Sequence, residues 1–270
     1  MGEAFVAALP MYDFPWTAEA QDAIWRALAA RLRAAGIDAP AALERGRPLD
    51  DVWRDPRLLF GQTCGYPYVT SLGDRIALLA TPCYAFEGCQ GPRHCSVLVA
   101  RRGEAGKALT DFRGARAAVN GAHSNSGMNL FRAAIAPLAG GKPFFSSVVT
   151  TGSHAGSLEA IAAGRADIAA IDCVSFALLK RGRPTLTGAV AVVGRSAMSP
   201  GLPYIASAHL PSEIVETVRA ALAATMADPS LSMARAALGL TETVALQPSD
   251  YAAVAAFERE AAALGYPNLV

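Results

Sequence analysis

The sequence predicts an α/β protein in two lobes, and three observations lead to that expectation. Short apolar runs alternate with segments of helical spacing through most of the 270 residues, a pattern of strands laid side by side with helices between them. Three strand–turn–helix units follow one another from Asp111 to Arg181, each strand handing over to its helix through small polar residues. Two irregular stretches, Thr81–Ser96 (rich in Pro, Gly and Cys) and Gly194–Pro203 (rich in Gly, Pro and Ser), interrupt the pattern where a chain would cross between lobes. The expected division is therefore a discontinuous first lobe, residues 1–95 plus 197–270, and a second lobe, residues 96–196. Two such crossovers make a hinge with a cleft between the lobes.

The elements follow in order. Phe5–Leu9 reads as a short buried strand running into Pro10-Met11-Tyr12-Asp13. Thr17 stands where an N-cap belongs, before a helix whose Ala20, Ile24, Ala27, Leu28 and Leu32 share one face and which Gly36 ends. Short helices are expected near Ala41–Arg45 and Leu49–Arg54, bounded by prolines. Leu58–Phe60 is the next strand, opening into Gly61–Tyr68; that loop has the composition of a binding loop and equally of a tight turn with half-buried tyrosines. Ile76–Ala80 and Val97–Ala100 are strands on either side of the first crossover.

The three central units come next. Ala115–Asn120 leads through Gly121–Gly127 to a helix over Met128–Ala139. Phe145–Thr150 leads through Thr151–His154 to a helix ending near Ala163, and Asp167–Ile171 leads through Asp172 to a helix ending near Arg181. Val190–Val193 and Tyr204–Ser207 flank the return crossover, and helices over Ser212–Ala227, Ser230–Leu238 and about Asp250–Leu264 complete the chain.

In parallel sheets ligands sit beyond the carboxyl ends of the strands. Here those ends carry Ser124, Asn125, Ser126, Ser153, His154 and Asp172. Each following helix presents backbone N–H groups without internal partners at the positive end of its dipole, so hydroxyl-bearing turns at these positions suit an anion. Ser126 and Ser153 also suit plain N-capping, since caps favour serine on their own account. Asp172 has two readings. It accepts a hydrogen bond from a ligand amine or protonated oxygen, or it caps the third helix.

Composition excludes several classes. With 24 Lys and Arg against 23 Asp and Glu, and no basic run longer than Arg101-Arg102, nothing offers a nucleic-acid surface. No apolar run reaches the roughly 18 residues of a membrane span. No Gly-x-Ser-x-Gly elbow, phosphate-binding loop or dinucleotide fingerprint is present, so the chain is read as a binding protein without cofactor and not as an enzyme. Cys83, Cys89, His94 and Cys95 are soft ligands in one crossover but lack the spacing of a zinc site, so no metal is expected. Cys64 and Cys89 both follow first-lobe strands, which suggests a disulfide between them. Gly2-Glu3-Ala4 leads straight into the first strand with neither a basic segment nor a long apolar one, which reads as a cytoplasmic chain or one whose leader has been removed.

The stretches Asp111-Phe112-Arg113-Gly114, Ser124-Asn125-Ser126-Gly127, Thr151-Gly152-Ser153-His154 and Ala166–Asp172 with Ser175–Lys180 resemble the substrate-binding components of phosphonate, phosphite and phosphate ABC transporters. The resemblance is sharp over Asp111–Arg181 and looser elsewhere, including Pro10–Asp13 and Thr81–Tyr84. It implies the two-lobed periplasmic-binding-protein fold, type 2, a periplasmic location, a small phosphonate- or phosphate-like ligand and an ABC permease as partner. In that family a serine-rich turn and a Ser-His pair hold the phosphonate oxygens, acidic residues meet the other end of the ligand, and first-lobe tyrosines close over it. Carried across, this implicates Ser124, Asn125, Ser126, Ser153, His154 and Asp172, with Tyr12, Tyr66 and Tyr84 from the first lobe. Asn125 stands where a threonine is usual, so the ligand head can differ from a simple phosphonate. The alternative is a cytoplasmic enzyme or sensor using the same cleft on an anionic metabolite.

Overall fold

The structure, a computed structural model, describes residues 4–270, so the reading of a leader at Met1–Glu3 lies outside the described residues. In chain order the strands are β1 (Val6–Ala8), β2 (Leu58–Gln62), β3 (Ile76–Tyr84), β4 (Cys89–Gln90), β5 (Arg93–His94), β6 (Ser96–Arg101), β7 (Arg116–Val119), β8 (Ser147–Thr150), β9 (Ile168–Asp172), β10 (Val190–Arg195), β11 (Ser199–Pro200), β12 (Tyr204–Ser207) and β13 (Leu240–Val244). They form two five-stranded sheets, ordered β1-β2-β12-β3-β13 and β10-β6-β9-β7-β8, and a small three-stranded sheet, β11-β5-β4.

The chain divides into two compact units. The first takes the chain up to Ala85 and then Gly201–Asp250; the second takes Phe86–Pro200 and Tyr251–Val270. The passages at 85/86 and 200/201 fall in or beside the two irregular stretches expected to cross. A further passage at 250/251 places the last twenty residues in the second unit and not, as the sequence suggested, in the first. Their packing explains this. Asn129 Nδ2 donates to the Val254 carbonyl at 2.9 Å, Phe144 N–H to the Val270 carbonyl at 2.6 Å, and Ala261, Tyr266 and Leu269 join the core formed by Phe131, Ile135 and Phe144.

In the first unit the helix Ala18–Ala34 buries Ile24, Trp25, Leu28 and Leu32 on one stripe. Trp25 stacks on Phe60 of β2 with ring centroids 5.9 Å apart. Burying such side chains contributes roughly 1.5–3 kcal/mol each. Thr17 precedes this helix but makes no side-chain cap; its hydroxyl donates to the Tyr12 carbonyl at 2.7 Å and accepts from Phe14 N–H at 2.8 Å, which holds the chain after β1. The short helix expected near Ala41–Arg45 does not form. Five residues between Pro40 and Gly46 cannot offset the cost of nucleating a helix, and Glu44 N–H instead donates to the Ala7 carbonyl at 2.7 Å.

β3 runs on to Tyr84, beyond its expected end at Ala80, because it changes partners: Ile76–Ala80 pair with β12 and Thr81–Tyr84 with β13. Pro82 is tolerated because the pairing with β12 ends at Ala80, so this second half is paired on one side only, to β13. β13 had no counterpart in the sequence reading.

In the second unit β7 pairs in parallel with both β8 and β9, while β6 and β10 are antiparallel additions. The three central units thus form the expected parallel core within a mixed sheet. Every residue of β9 is buried, and its Ile168, Ala169, Ala170 and Ile171 read as a continuous apolar run with no alternation, as a strand covered on both faces does.

Candidate functional site

The carboxyl ends of β7, β8 and β9 lie side by side, because the three strands are parallel and adjacent. The first turn is built by Ser124, whose Oγ accepts from Gly127 N–H at 2.9 Å and caps a turn over Asn125–Asn129, wider than an α-helix, that runs into the helix Leu130–Ala139. Ser124, Asn125 and Ser126 are all buried. The Asn125 side chain is engaged inside the fold: its Nδ2 donates to Ser199 Oγ at 2.8 Å and its Oδ1 accepts from Asn129 Nδ2 at 3.0 Å. Asn129 is held in turn by Arg132, at 2.8 Å. Ser96 Oγ donates to the Ser126 carbonyl at 2.8 Å. This turn is therefore held by side-chain hydrogen bonds within the fold.

Gly127 is required by close approach. A Cβ there would lie 1.8 Å from Asn120 Oδ1 and 3.2 Å from His154 Cε1. Asn120, the residue after β7, thereby joins the group, and its buried Oδ1 has no hydrogen-bond partner.

The second turn leaves β8 and is capped by Ser153, whose Oγ accepts from Gly156 N–H at 3.0 Å. Ser153 is exposed. Capping engages the oxygen as acceptor and leaves the hydroxyl proton for another partner, so capping and ligand binding are compatible for Ser124 and Ser153 alike. His154 opens the helix His154–Ala162, and its Nε2 lies 3.1 Å from Ser126 Oγ, a contact that joins the first two turns directly. His154 Nδ1 is buried without a partner. Burial lowers the His154 pKa against the attraction of Asp172, with His94 lowering it further. The ring is therefore neutral at neutral pH.

A protein-family model matches residues 60–251, well over half of the chain, and describes an ABC transporter, phosphonate, periplasmic substrate-binding protein. The chain belongs to this family. No curated protein matches the chain. Solved structures share its fold. A Xanthomonas citri protein bound to ATP is 15% identical with a TM-score of 0.72, the match covering 97% of this chain and 98% of that one. A binding protein component of an ABC phosphonate transporter from Pseudomonas aeruginosa is 16% identical with a TM-score of 0.71, covering 97% of each chain. PhnD1 from Prochlorococcus marinus in complex with methylphosphonate is 12% identical with a TM-score of 0.72, covering 95% of this chain and 97% of that one. The fold is thus that of the two-lobed periplasmic binding proteins, and the phosphonate-family chain is a substrate-binding protein and not an enzyme.

The third turn of this phosphonate-family chain sits at Asp172, at the end of β9. Both readings of Asp172 called for a hydrogen-bond acceptor, and its Oδ1 caps the helix Cys173–Gly182 by accepting from Ser175 N–H at 2.7 Å. Its Oδ2 lies 2.9 Å from Nδ1 of His94, and both side chains are almost wholly buried. Burial, the largest influence, would raise the Asp172 pKa; His94, His154 and the Ser175 N–H together outweigh it, and the carboxylate stays below its usual range. His94 Nδ1 thus engages the second carboxylate oxygen of Asp172 inside the fold. It reaches this position because β6 runs antiparallel to β9, with Ser96 paired to Asp172. Sequence reasoning saw His94 only as a soft metal ligand; the sole signal of its real place was its position two residues before a strand. His94 Nε2 is buried without a partner.

The three tyrosines lie in the first unit. β1, β2 and β3 all run in one direction, with β12 antiparallel between β2 and β3, so Tyr12, Tyr66 and Tyr84 follow or end three strands at the same sheet edge. Tyr12 and Tyr84 meet edge to face, with centroids 5.4 Å apart and planes at 79°. Tyr66 is buried in the helical turn Gly65–Pro67, which runs on into a wider turn over Tyr68–Leu72, so the loop after β2 is helical and Tyr66 and Tyr68 are buried where half-buried tyrosines were expected.

The thiol beside Cys89 is that of Cys173, at 3.5 Å, in the same unit; Cys64 belongs to the other unit. Among the described residues no group of three or more His, Cys, Asp or Glu is arranged to hold a metal ion, and no helix is long and apolar enough to cross a membrane.

Proposed function

We propose that this chain binds a small phosphonate- or phosphate-type oxyanion at the turns after β7, β8 and β9 and delivers it to an ABC permease from the periplasm. The observation that carries this reading is the 3.1 Å contact between Ser126 Oγ and His154 Nε2. It brings a hydroxyl and an imidazole from two separate helix starts to one point: with Nε2–H donating to Ser126 Oγ, the hydroxyl proton is aimed at an oxyanion that also meets two sets of backbone N–H groups. Ser124, Ser126 and Ser153 donate hydroxyl protons to the ligand oxygens; Asn125 shapes the turn from within. Asp172, held by His94 and the Ser175 N–H, accepts from a protonated ligand oxygen or an amine. Tyr12, Tyr66 and Tyr84 supply ring surface for the organic part. The methylphosphonate held by PhnD1, a protein of the same fold, supports the ligand class.

Calorimetric titration with methylphosphonate, phosphate and an alkylsulfonate tests the reading. A hydrogen bond to a charged group contributes about 1.5–3 kcal/mol. Ser126→Ala is therefore expected to weaken binding by roughly ten- to a hundredfold at about 1.4 kcal/mol per decade, with His154→Ala comparable. A stable Ser126→Ala variant with wild-type affinity for every anion bound would exclude these turns as the site.

A further inference from the structure

Behind the His94–Asp172 pair three cysteines meet. Cys89 Sγ lies 3.5 Å from Cys173 Sγ, and the thiols of Cys95 and Cys173 are hydrogen-bonded. The backbone draws them together: Cys89 pairs with His94 across the β4–β5 hairpin, Cys95 N–H donates to the Gly88 carbonyl at 2.9 Å, and Cys173 N–H donates to the Cys95 carbonyl at 3.2 Å. Gly88, at φ +95°, makes this approach possible, for a Cβ there would lie 2.9 Å from Cys173 Cβ and 3.0 Å from Cys95 Sγ. Cys95 and Cys173 are buried, while Cys89 keeps part of its surface exposed.

The family is periplasmic, and that compartment is oxidising, so neighbouring thiols there do not persist in the reduced state. We propose that Cys89 and Cys173 are a redox modification site, joined as a disulfide by a thiol–disulfide oxidoreductase or a small disulfide such as oxidised glutathione. The Cys89 thiolate attacks one sulfur of the donor disulfide and releases one donor thiol. Cys173, having given up its proton, then displaces the second donor thiol from the mixed disulfide. Two cysteine thiols are oxidised by two electrons, and one donor disulfide is reduced to two thiols. The order follows from exposure, since Cys89 is the member that solvent reaches. Hydrogen bonding within the cluster, together with burial, pushes the Cys95 and Cys173 thiols up, so the second step is the slower of the two and the reaction is followed until the thiol count stops changing. The bond would tie the β4–β5 hairpin, which carries His94, to the helix start that follows Asp172. This inference rests on the periplasmic location proposed above and on the geometry of the second unit, and holds whatever ligand is bound.

The test exposes the reduced, full chain to oxidised glutathione, then alkylates it in denaturant and maps the peptides by mass spectrometry without reduction. The expected result is two fewer alkylated thiols than in the reduced protein and one cross-linked pair carrying Cys89 and Cys173, reversed by dithiothreitol. Cys89→Ser and Cys173→Ser should each abolish the link, and Cys64→Ser should leave it intact. Because Cys89 is partly exposed, Cys89→Ser should keep the parent's circular dichroism and melting midpoint, which separates loss of the bond from loss of the fold. An unchanged thiol count, a reaction that stops at glutathione on Cys89, or a link through Cys64, Cys83 or Cys95 would each overturn the proposal.

Discussion

The sheet edge of the second unit that carries the serine turns and the sheet edge of the first unit that carries the tyrosines are built from opposite chemistry. In the second unit the candidate groups are short side chains, fixed at helix starts by caps of 2.7–3.0 Å and seated in a network running through Asn125, Asn129 and Arg132. In the first unit they are rings, with Tyr12 and Tyr84 resting edge to face on one another. The difference teaches where specificity and tolerance belong. Preorganised donors discriminate among anions, because an oxygen displaced by an ångström loses its hydrogen bond. Aromatic surfaces accept varied organic groups, because their attraction is broad and weakly directional.

The largest expected effect breaks the support of the polar edge. His94→Ala leaves the buried Asp172 carboxylate without its partner, and removing one member of a buried pair costs roughly 3–5 kcal/mol. Urea unfolding should show a loss of that order in the second unit; a loss below 1 kcal/mol would mean that Asp172 is neutral or finds water. His94→Ala combined with Asp172→Asn should recover part of the loss, which separates the uncompensated charge from lost packing.

A smaller effect is expected from Gly156→Ala. A Cβ there would sit 2.7 Å from the Thr151 carbonyl, a backbone atom that cannot swing away. Such overpacking costs about 1–3 kcal/mol. The second turn should shift, so anion affinity should fall along with stability. If affinity fell for Ser126→Ala but not for Gly156→Ala, the second turn would drop out of the site.

The tyrosine edge should respond less. Tyr84→Phe keeps the ring contact with Tyr12 and is expected to change affinity for methylphosphonate by less than the Ser126→Ala change. Tyr84→Ala, which removes an aromatic pair, should cost about 0.5–1.5 kcal/mol beyond the lost area. A hundredfold loss of affinity on Tyr84→Phe would show that the first unit contributes a directed hydrogen bond, and the contrast between the two edges would fail.

The gentlest probe is pH. His154 lies below its ordinary value of 6.5, so on acidification the unfolded chain takes up its proton first, and stability falls as pH drops below about 6.5. Asp172, below its ordinary 3.8, adds a second loss as pH drops below that value, joined by Asp55 and Asp167, both held near 2 by arginines. Each of these contributions is fully present at neutral pH and lost toward acid. His154→Ala should remove the first step and leave the second. For binding, a neutral His154 that orients the Ser126 hydroxyl does so without changing charge, so affinity should stay flat between about pH 7 and 8 apart from the ligand's own ionisation; a steep fall there would mean that the anion recruits the imidazolium.

Much of the polar edge was legible in the chain. Ser153 and Asp172 each stand between an apolar run and a helical one and cap as read, since capping is decided within three or four residues; in the first turn Ser124 is the cap and not Ser126, which lies within the turn. The tyrosines were harder to place, since only the strand directions bring Tyr12, Tyr66 and Tyr84 to one edge.

What the sequence determined by itself is what local spacing encodes: the three strand–turn–helix units, the stripe of Ile24, Leu28 and Leu32, and the helix Ser212–Ala227. Hydrophobic period and cap chemistry act over a few residues, so one chain suffices to read them. Tertiary structure alone decided that His94 stands against Asp172, that Cys89 meets Cys173 across 84 positions, that β13 extends the pairing of β3, and that the last twenty residues belong to the second unit. Each of these depends on which strand lies antiparallel beside another or which helix covers an open face. Those choices are made by side-chain packing between distant segments, and no short-range pattern in the chain records them.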